Sequence, residues 1–298
     1  MSATLGASQY AATANATPPA VHARLRDLLF DLVRKSPLFQ FGLAVVVLDL
    51  VLAAIGPIIE PVSRTVLITS PNLPPSAAHY FGTDPSGLDV FARVIAAPRV
   101  DVTIALAATL LGVLGGTILG LLATTFEGWA SELFVRVADT VQALPGLAFV
   151  FIIVILAGRS NVMIVVILGL LQVPIYLRLI RSQVLSLRER PFVEAAIANG
   201  DTPLSVALRH ILPNALTPAL AQASITMGFT LLAITGLSFI GAGVRPPAAE
   251  WGGMIQAGAQ GINLGQWWMS LFPGLAISFS VFGFAAVGEG LQRALARR

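Results

Sequence analysis

Side chains able to do chemistry are sparse in this sequence, and one stretch gathers them. Residues 188–214, RERPFVEAAIANGDTPLSVALRHILPN, hold arginines, glutamates, Asp201 and His210 between long apolar segments. The histidines His22, His79 and His210 are dispersed and form no evident metal or acid/base constellation. The sequence has no cysteine, which excludes disulfides, thiolate metal sites and thiol nucleophiles. Lys35 is the only lysine and lies outside any G-x-x-x-x-G-K-[ST] loop, so ATP, if it drives this protein, is hydrolysed by another chain. Asp49 lies within an apolar run, where a carboxylate costs roughly 2.5–3.5 kcal/mol to insert. It reads either as a proton or cation site or as a polar contact to a neighbouring helix. The contact is favoured, because no second carboxylate accompanies it at mid-span.

Local chemistry predicts two short helices in 188–214. Pro191 suits a first helical turn, Asn199-Gly200 a stop, and Thr202-Pro203 a restart. Leu204, Ala207, Leu208 and Ile211 recur at helical spacing and should face the protein or the lipid boundary, with Pro213 ending the helix. Ala195, Ala196 and Ala198 keep the first helix low, so that another backbone could approach beside Glu194. The plainer reading is a pair of interfacial helices, with Arg188, Arg190 and Arg209 as topology anchors.

The elements that must position this stretch are membrane spans. Of 298 residues 56% are hydrophobic and 11% charged, too few charges to cover a soluble globule. An all-α integral membrane protein with six transmembrane helices follows, with spans near 38–59, 101–126, 139–158, 161–177, 216–240 and 269–287. Residues 1–37 read as a cytoplasmic tail, disordered up to about Pro19, before a first span that serves as an uncleaved anchor. Residues 38–100 comprise that span and a proline-rich external segment, 101–292 the other five spans with the 188–214 loop, and 293–298 a basic tail. Residues 127–138 read as a short amphipathic connection, and His79 as an isolated surface residue. Gly112, Gly116 and Gly120 in the second span form a small-xxx-small packing face. With both termini inside, 13 of the 18 basic residues are cytoplasmic, and Arg64, Arg93, Arg99, Arg159 and Arg245 lie outside. The net charge of +3 therefore reads as topology, and no contiguous basic patch argues for nucleic acid.

Several segments carry a resemblance. Glu194-Ala195-Ala196, then Gly200, then Leu212-Pro213 resembles the EAA loop of permease subunits of ABC importers. The ending Arg209-His210-Ile211-Leu212-Pro213-Asn214 is similar to the peptide/nickel branch; His210 replaces the aliphatic residue common in the wider superfamily. Phe81-Gly82-Thr83-Asp84, Gly87, Asp89-Val90 and Arg93 match that branch before the second span, whereas Leu88 departs from a frequent arginine and Pro98 is unusual. The segment from Gly236 through Arg245-Pro246-Pro247 to Trp251-Gly252 also resembles it. Ala286 and Glu289 stand where an Asn and an Asp are frequent, so the C-terminal pattern is only partly kept.

The resemblance implies a C-type permease subunit of the dipeptide/oligopeptide family, with a type I importer fold, in the cell membrane. Its implied partners are the lipid bilayer, a second permease subunit forming a heterodimer, two ATPase subunits or domains carrying ATP and Mg, and an external substrate-binding protein. It makes Glu194, Ala195, Ala196, Gly200, Asp201, His210, Leu212 and Pro213 ATPase-coupling candidates. Gln222, Ser224, Thr226 and Thr235 of the fifth span are pathway candidates, and Arg245 and Trp251 candidates to face the binding protein. Trp251, Trp267 and Trp268 read first as interfacial anchors. An ion-coupled secondary transporter using Asp49 is the alternative, although no internal repeat supports it. Nickel or another small solute is the alternative cargo.

Overall fold

A chain in lipid must satisfy its backbone polar groups internally, and helices do so without a partner strand. A computed structural model describes residues 32–34, 36–59, 70–125 and 129–296, and every regular element among them is helical. The expected disordered tail with Arg24 and Arg26, the expected external residues 60–69 with Arg64, and also Lys35, Glu127, Gly128, Arg297 and Arg298 lie outside the described residues.

Helix α1 is Pro37–Ile59. A short α2, Val90–Ala96, starts on Asp89, whose carboxylate accepts the Ala92 N–H at 2.9 Å. Helix α3, Pro98–Thr125, follows after one residue, with Pro98 at its first position, where a missing N–H costs no helical bond. Next come α4, Trp129–Ala143, and α5, Gly146–Ala157. Helix α6, Asn161–Arg188, is capped by Ser160 and leads to α7, Pro191–Ala198. One turn of helix, Pro203–Ser205 (α8), passes through a π-helical turn, Val206–Ile211, into α9, Leu212–Phe239. Helix α10, Trp251–Ala259, and a 3-10 turn, Ile262–Leu264, precede α11, Trp268–Ala296.

Among the described residues five helices are long and apolar enough to cross a membrane: α1, α2 with α3, α6, the π turn with α9, and α11. The expected third span, 139–158, is not one helix. The amphipathic segment runs on to Ala143, the chain turns at Leu144-Pro145, and α5 departs at 85°. Its 12 residues reach about 18 Å, short of the roughly 30 Å hydrocarbon core. Pro145 forces the break by excluding its predecessor from helical geometry. A sixth span exists only if this bent pair is counted as one.

Two other helices run past the expected limits. Helix α6 continues from 177 to Arg188, so Arg178 and Arg181 sit on it; Arg178 reaches Asp139 of α4 at 2.7 Å. Helix α11 continues to Ala296 with Glu289 and Arg293 paired one turn apart. Both ends place cations near the last carbonyls, where the helix dipole favours them.

The most extensive contact in the chain is α3 on α6. Gly112, Gly116 and Gly120 face Gln172, Tyr176 and Ile180, and a Cβ at Gly120 would lie 2.9 Å from that of Ile180. The expected packing face is therefore real, and its partner is α6. Around it Val102, Ala105, Ile164, Leu168, Leu231 and Ile234 form the buried core of α3, α6 and α9. Helix α11 packs on α9 and α1, and Ser280 donates to Asp49 Oδ1 at 3.1 Å. Asp49 thus makes the interhelical contact expected of a buried carboxylate.

Replacing Gly116 with Ala should lower stability by about 1–3 kcal/mol, because the methyl meets Tyr176 Cβ and the Val173 carbonyl. Gly274→Ala, where a Cβ would meet nothing within 4 Å, is the control and should be neutral or slightly stabilising. Thermal unfolding of the purified variants in detergent measures the difference.

Candidate functional site

The 188–214 loop hangs from the C-terminal end of α6 and the start of α9. Pro191 stands in the first turn of α7, which closes on a Schellman motif: the Gly200 N–H donates to the Ile197 carbonyl at 2.9 Å and the Asp201 N–H to that of Ala196 at 3.1 Å. Gly200 has φ +87°, and no atom lies within 4 Å of where its Cβ would be, so glycine is required by the backbone and not by crowding. The expected stop at Asn199-Gly200 is present.

After it, Thr202 Oγ1 accepts the Ser205 N–H at 3.3 Å, and Asp201 ties the turn together. Its Oδ1 accepts from Ser205 Oγ at 3.1 Å and its Oδ2 lies 3.3 Å from His210 Nε2. Asp201 and His210 thus brace the loop from within.

Two local expectations fail here. Pro213 does not end a helix: the chain passes from the π turn straight into α9, with Pro213 in its first turn. The π turn makes this possible. The Leu212 N–H reaches back five residues to Ala207, and the Asn214 side chain donates to the His210 carbonyl at 2.6 Å, so the register loosens where proline offers no donor. The second is Ala196, expected on the outer surface and buried, while the stripe expected to face the protein or the lipid boundary divides. Val206, Ile211 and Ala215 are buried at intervals of five and four, whereas Leu204 and Leu208 of the expected stripe are exposed.

Helix α7 buries Val193 and Ala196 against Val206 and Ile211. Ala196, expected on the low outer surface, is 6% exposed and serves the loop's own core. What faces outward is Glu194 and Ala195 together with Phe192, Ile197, Leu204 and Leu208, and Ile197 and Leu204 are more than half exposed. Leu204 and Leu208 belong to the expected stripe; Phe192 and Ile197 carry no local signal that sets them on the outside.

The opposite end of the spans carries a buried polar cluster that the sequence reading also missed. Glu250 caps α10, accepting from Gly252 N at 3.0 Å and Gly253 N at 2.5 Å, and is 3% exposed. Burial pushes its carboxyl up from the ordinary range. Asp101, at the start of α3, accepts the Trp251 N–H at 2.9 Å. Arg93 donates to the carbonyls of Pro247 and Ala248 at 3.3 Å and lies 3.8 Å from Asp84. The available signal was an acid at the head of an apolar run, Asp101; a glutamate cap has a weaker signature than Ser, Thr, Asp or Asn.

Trp251 is corrected by this cluster. It is 2% exposed, with Nε1 donating to the Val94 carbonyl at 3.1 Å, so it neither anchors in the interface nor faces a partner. Trp268 is buried likewise, donating to the Thr83 carbonyl at 3.3 Å, and Trp267 alone of the three is exposed. Nor is His79 isolated: its Nδ1 lies 2.8 Å from Asp89 Oδ2. Arg245 is exposed.

Of the fifth-span candidates, Ser224 donates to the Phe284 carbonyl at 2.7 Å, and Gln222 accepts from Gln292 at 3.1 Å. Thr226 and Thr235 bond to carbonyls one turn back in α9. Deeper in the bundle, Gln172 donates to Thr230 at 3.1 Å, joining α6 to α9. Among the described residues no three His, Asp or Glu side chains cluster to hold a metal.

The spans form a helical membrane bundle with an exposed, glycine-terminated helix at one end and a polar cap at the other, and comparison with known proteins places it among transport permeases. Residues 112–298 match the family described as binding-protein-dependent transport system inner membrane component, and the chain belongs to it. The chain is similar to the dipeptide transport system permease protein DppC of Alkalihalophilus pseudofirmus, with 35% identity over 89% of this chain and 88% of the relative. It is also similar to the glutathione transport system permease protein GsiD of Pectobacterium atrosepticum, 33% identical over 74% of this chain and 73% of the relative. The probable D,D-dipeptide transport system permease protein DdpC of Escherichia coli is 32% identical over 88% of both chains. This membership does not favour the ion-coupled alternative built on Asp49.

Two measurements probe the site. Gly200→Ala should cost about 1–2 kcal/mol locally, read as faster amide exchange across 196–205 with the spans unchanged. For Glu250, the folded protein holds a proton that the unfolded chain releases, so this group's contribution makes stability fall as pH rises through its elevated value. In Glu250→Gln that decline should be absent, as followed by melting temperature against pH.

Proposed function

We propose that this chain is one of two permease subunits of an ATP-driven importer of short peptides, and that its 188–214 loop couples the bundle to ATPase subunits. The outward surface of α7 and α8 carries the reading: Glu194 is set among Phe192, Ile197, Leu204 and Leu208, apolar side chains exposed on a rigid turn. Such side chains beside one acid suit a protein groove, where a few apolar anchors supply most of the affinity. Glu194, Ala195 and the turn at Gly200 form the contact; Ala196, Asp201, His210 and Pro213 shape it from behind. The basic residues Arg178, Arg181, Arg188, Arg190 and Arg209 near this end support a cytoplasmic position, with both termini on the same side.

ATP and Mg would reside on the partner ATPases. Their closure would draw α7 and α8 with them and, through α6 and α9, turn the pathway outward. The peptide cargo is supported by the dipeptide and glutathione relatives, and the external binding protein and second permease subunit by the family. Gln222, Ser224, Thr226 and Thr235 are the side chains of α9 offered to the pathway.

Glu194→Lys and Ile197→Asp should reach the membrane at native levels yet lose roughly tenfold or more of peptide uptake, the loss of one anchor worth at least about 1.4 kcal/mol. Uptake by the native transporter should persist when the proton gradient is collapsed and stop when ATP is depleted. Normal uptake in both variants, or dependence on the gradient alone, would sink the reading.

A further inference from the structure

Helices α4 and α5 part at 85° and, with α3 and α6, enclose a groove of about 590 Å³. Every side chain lining it is apolar, among them Leu119 of α3, Phe134 and Val137 of α4, Phe149 of α5 and Leu170 and Leu177 of α6. Helix α4 is held across the groove at two points. Ser131 Oγ donates to the Ala123 carbonyl of α3 at 2.6 Å, and Asp139 accepts from Arg178 of α6 at 2.7 Å. Between these bonds the space stays open: Val137 and Leu170 line it and are each more than half exposed.

One end of the groove is charged. The lining residues of α6 recur at three- and four-residue spacing from Ile167 through Pro174 to Leu177, and the same stripe runs on into Arg178 and Arg181. Asp139 balances Arg178, and on α4 Glu132 balances Arg136 at 2.6 Å. Arg181 is left over: its Nε is buried and has no hydrogen-bond acceptor among the described residues.

Depth is as informative as charge. From Ile167 to Leu177 the helix rises about 15 Å, half of the roughly 30 Å hydrocarbon core, so the groove is as long as one leaflet is thick. Counted from Asn161 at the start of α6, Arg181 is reached after about 30 Å, where the core gives way to headgroups. Trp129, the first residue of α4, is 77% exposed, as suits an anchor at that boundary.

We propose that this groove, with Arg181 and Arg178 at its end, holds one anionic phospholipid, an acyl chain lying along α6 and the phosphate on the guanidinium groups. A wholly apolar groove one leaflet long that ends in an unbalanced cation matches that molecule in length, polarity and charge. Guanidinium forks pair with phosphate bidentately. An acyl chain gains little by exchanging its neighbours in the bilayer for the groove, so the headgroup contact decides which lipid stays. The site stands on the membrane fold alone and does not depend on the importer reading.

The test places the full chain, with the subunits that co-purify with it, in nanodiscs containing a trace of phosphatidylglycerol or phosphatidylcholine, each with a diazirine midway along one acyl chain. After illumination, peptides from 129–143 and 161–181 should carry more phosphatidylglycerol label than peptides from α1, and several-fold more than they take from phosphatidylcholine. Arg181→Gln, which keeps the bond between Arg178 and Asp139, should lower the phosphatidylglycerol label there about tenfold, and Arg181→Lys should retain most of it. Val137→Trp/Leu170→Trp, which fills the groove from two exposed positions, should lower labelling by both lipids, with the melting temperature of each variant showing that it is folded. Equal labelling by the two lipids, or an unchanged pattern in Arg181→Gln, would overturn the site. So would a groove that takes no label while α1 does, which would assign it to another protein subunit, and so would loss of the label on adding millimolar inorganic phosphate, which would assign the arginines to a soluble anion.

Discussion

Close approach of α3 to α6 is the constraint on which the other contacts depend. Without side chains at Gly112, Gly116 and Gly120, the α3 backbone settles against Gln172, Tyr176 and Ile180. In lipid there is no hydrophobic gain from joining two apolar helices, so such contact must come from dispersion and matched shape. Helix α6 carries the Arg159 turn at one end and the 188–214 loop at the other, and its register against α3 sets where both stand. Gln172 and Thr230 then tie α9 to the same rod by one of the few interhelical hydrogen bonds inside the bundle.

The two ends of the bundle solve opposite problems. At the α10 end, buried carboxylates accept backbone N–H groups at the head of α10, and Arg93 donates to the carbonyls of the loop before it, so an irregular segment has its polar groups satisfied. At the opposite end the 188–214 loop is held by short-range bonds through Gly200, Asp201 and Thr202, and leaves apolar side chains uncovered. The first arrangement closes a surface; the second leaves one open.

Much of this was legible in the residues, and the losses have identifiable causes. Long apolar runs located α1, α3, α6, α9 and α11, and turn chemistry located the stop at Gly200, because both signals are local. The break at Leu144-Pro145 was read through as part of a span, since proline occurs inside α6, α9 and α11 as well and its consequence depends on neighbours. Trp251 was assigned by the usual habit of tryptophan in membranes, and only the fold shows that Val94 and Asp101 claim its polar groups. Ala196 is buried because α7 folds back on Val206 and Ile211, a contact no local residue pattern announces, and a π turn alters the direction of the following side chains without a distinctive pattern either.

That π turn has a geometric consequence. One residue of an α-helix corresponds to about 100° of rotation, so a single surplus residue in Val206–Ile211 sets the azimuth of α7 and α8 about the axis of α9. The heading of the loop, and hence which of its side chains meet a partner, is written in chain length as well as in side-chain identity. A one-residue deletion there would leave every exposed group in place along the chain and turn the whole surface about the axis of α9.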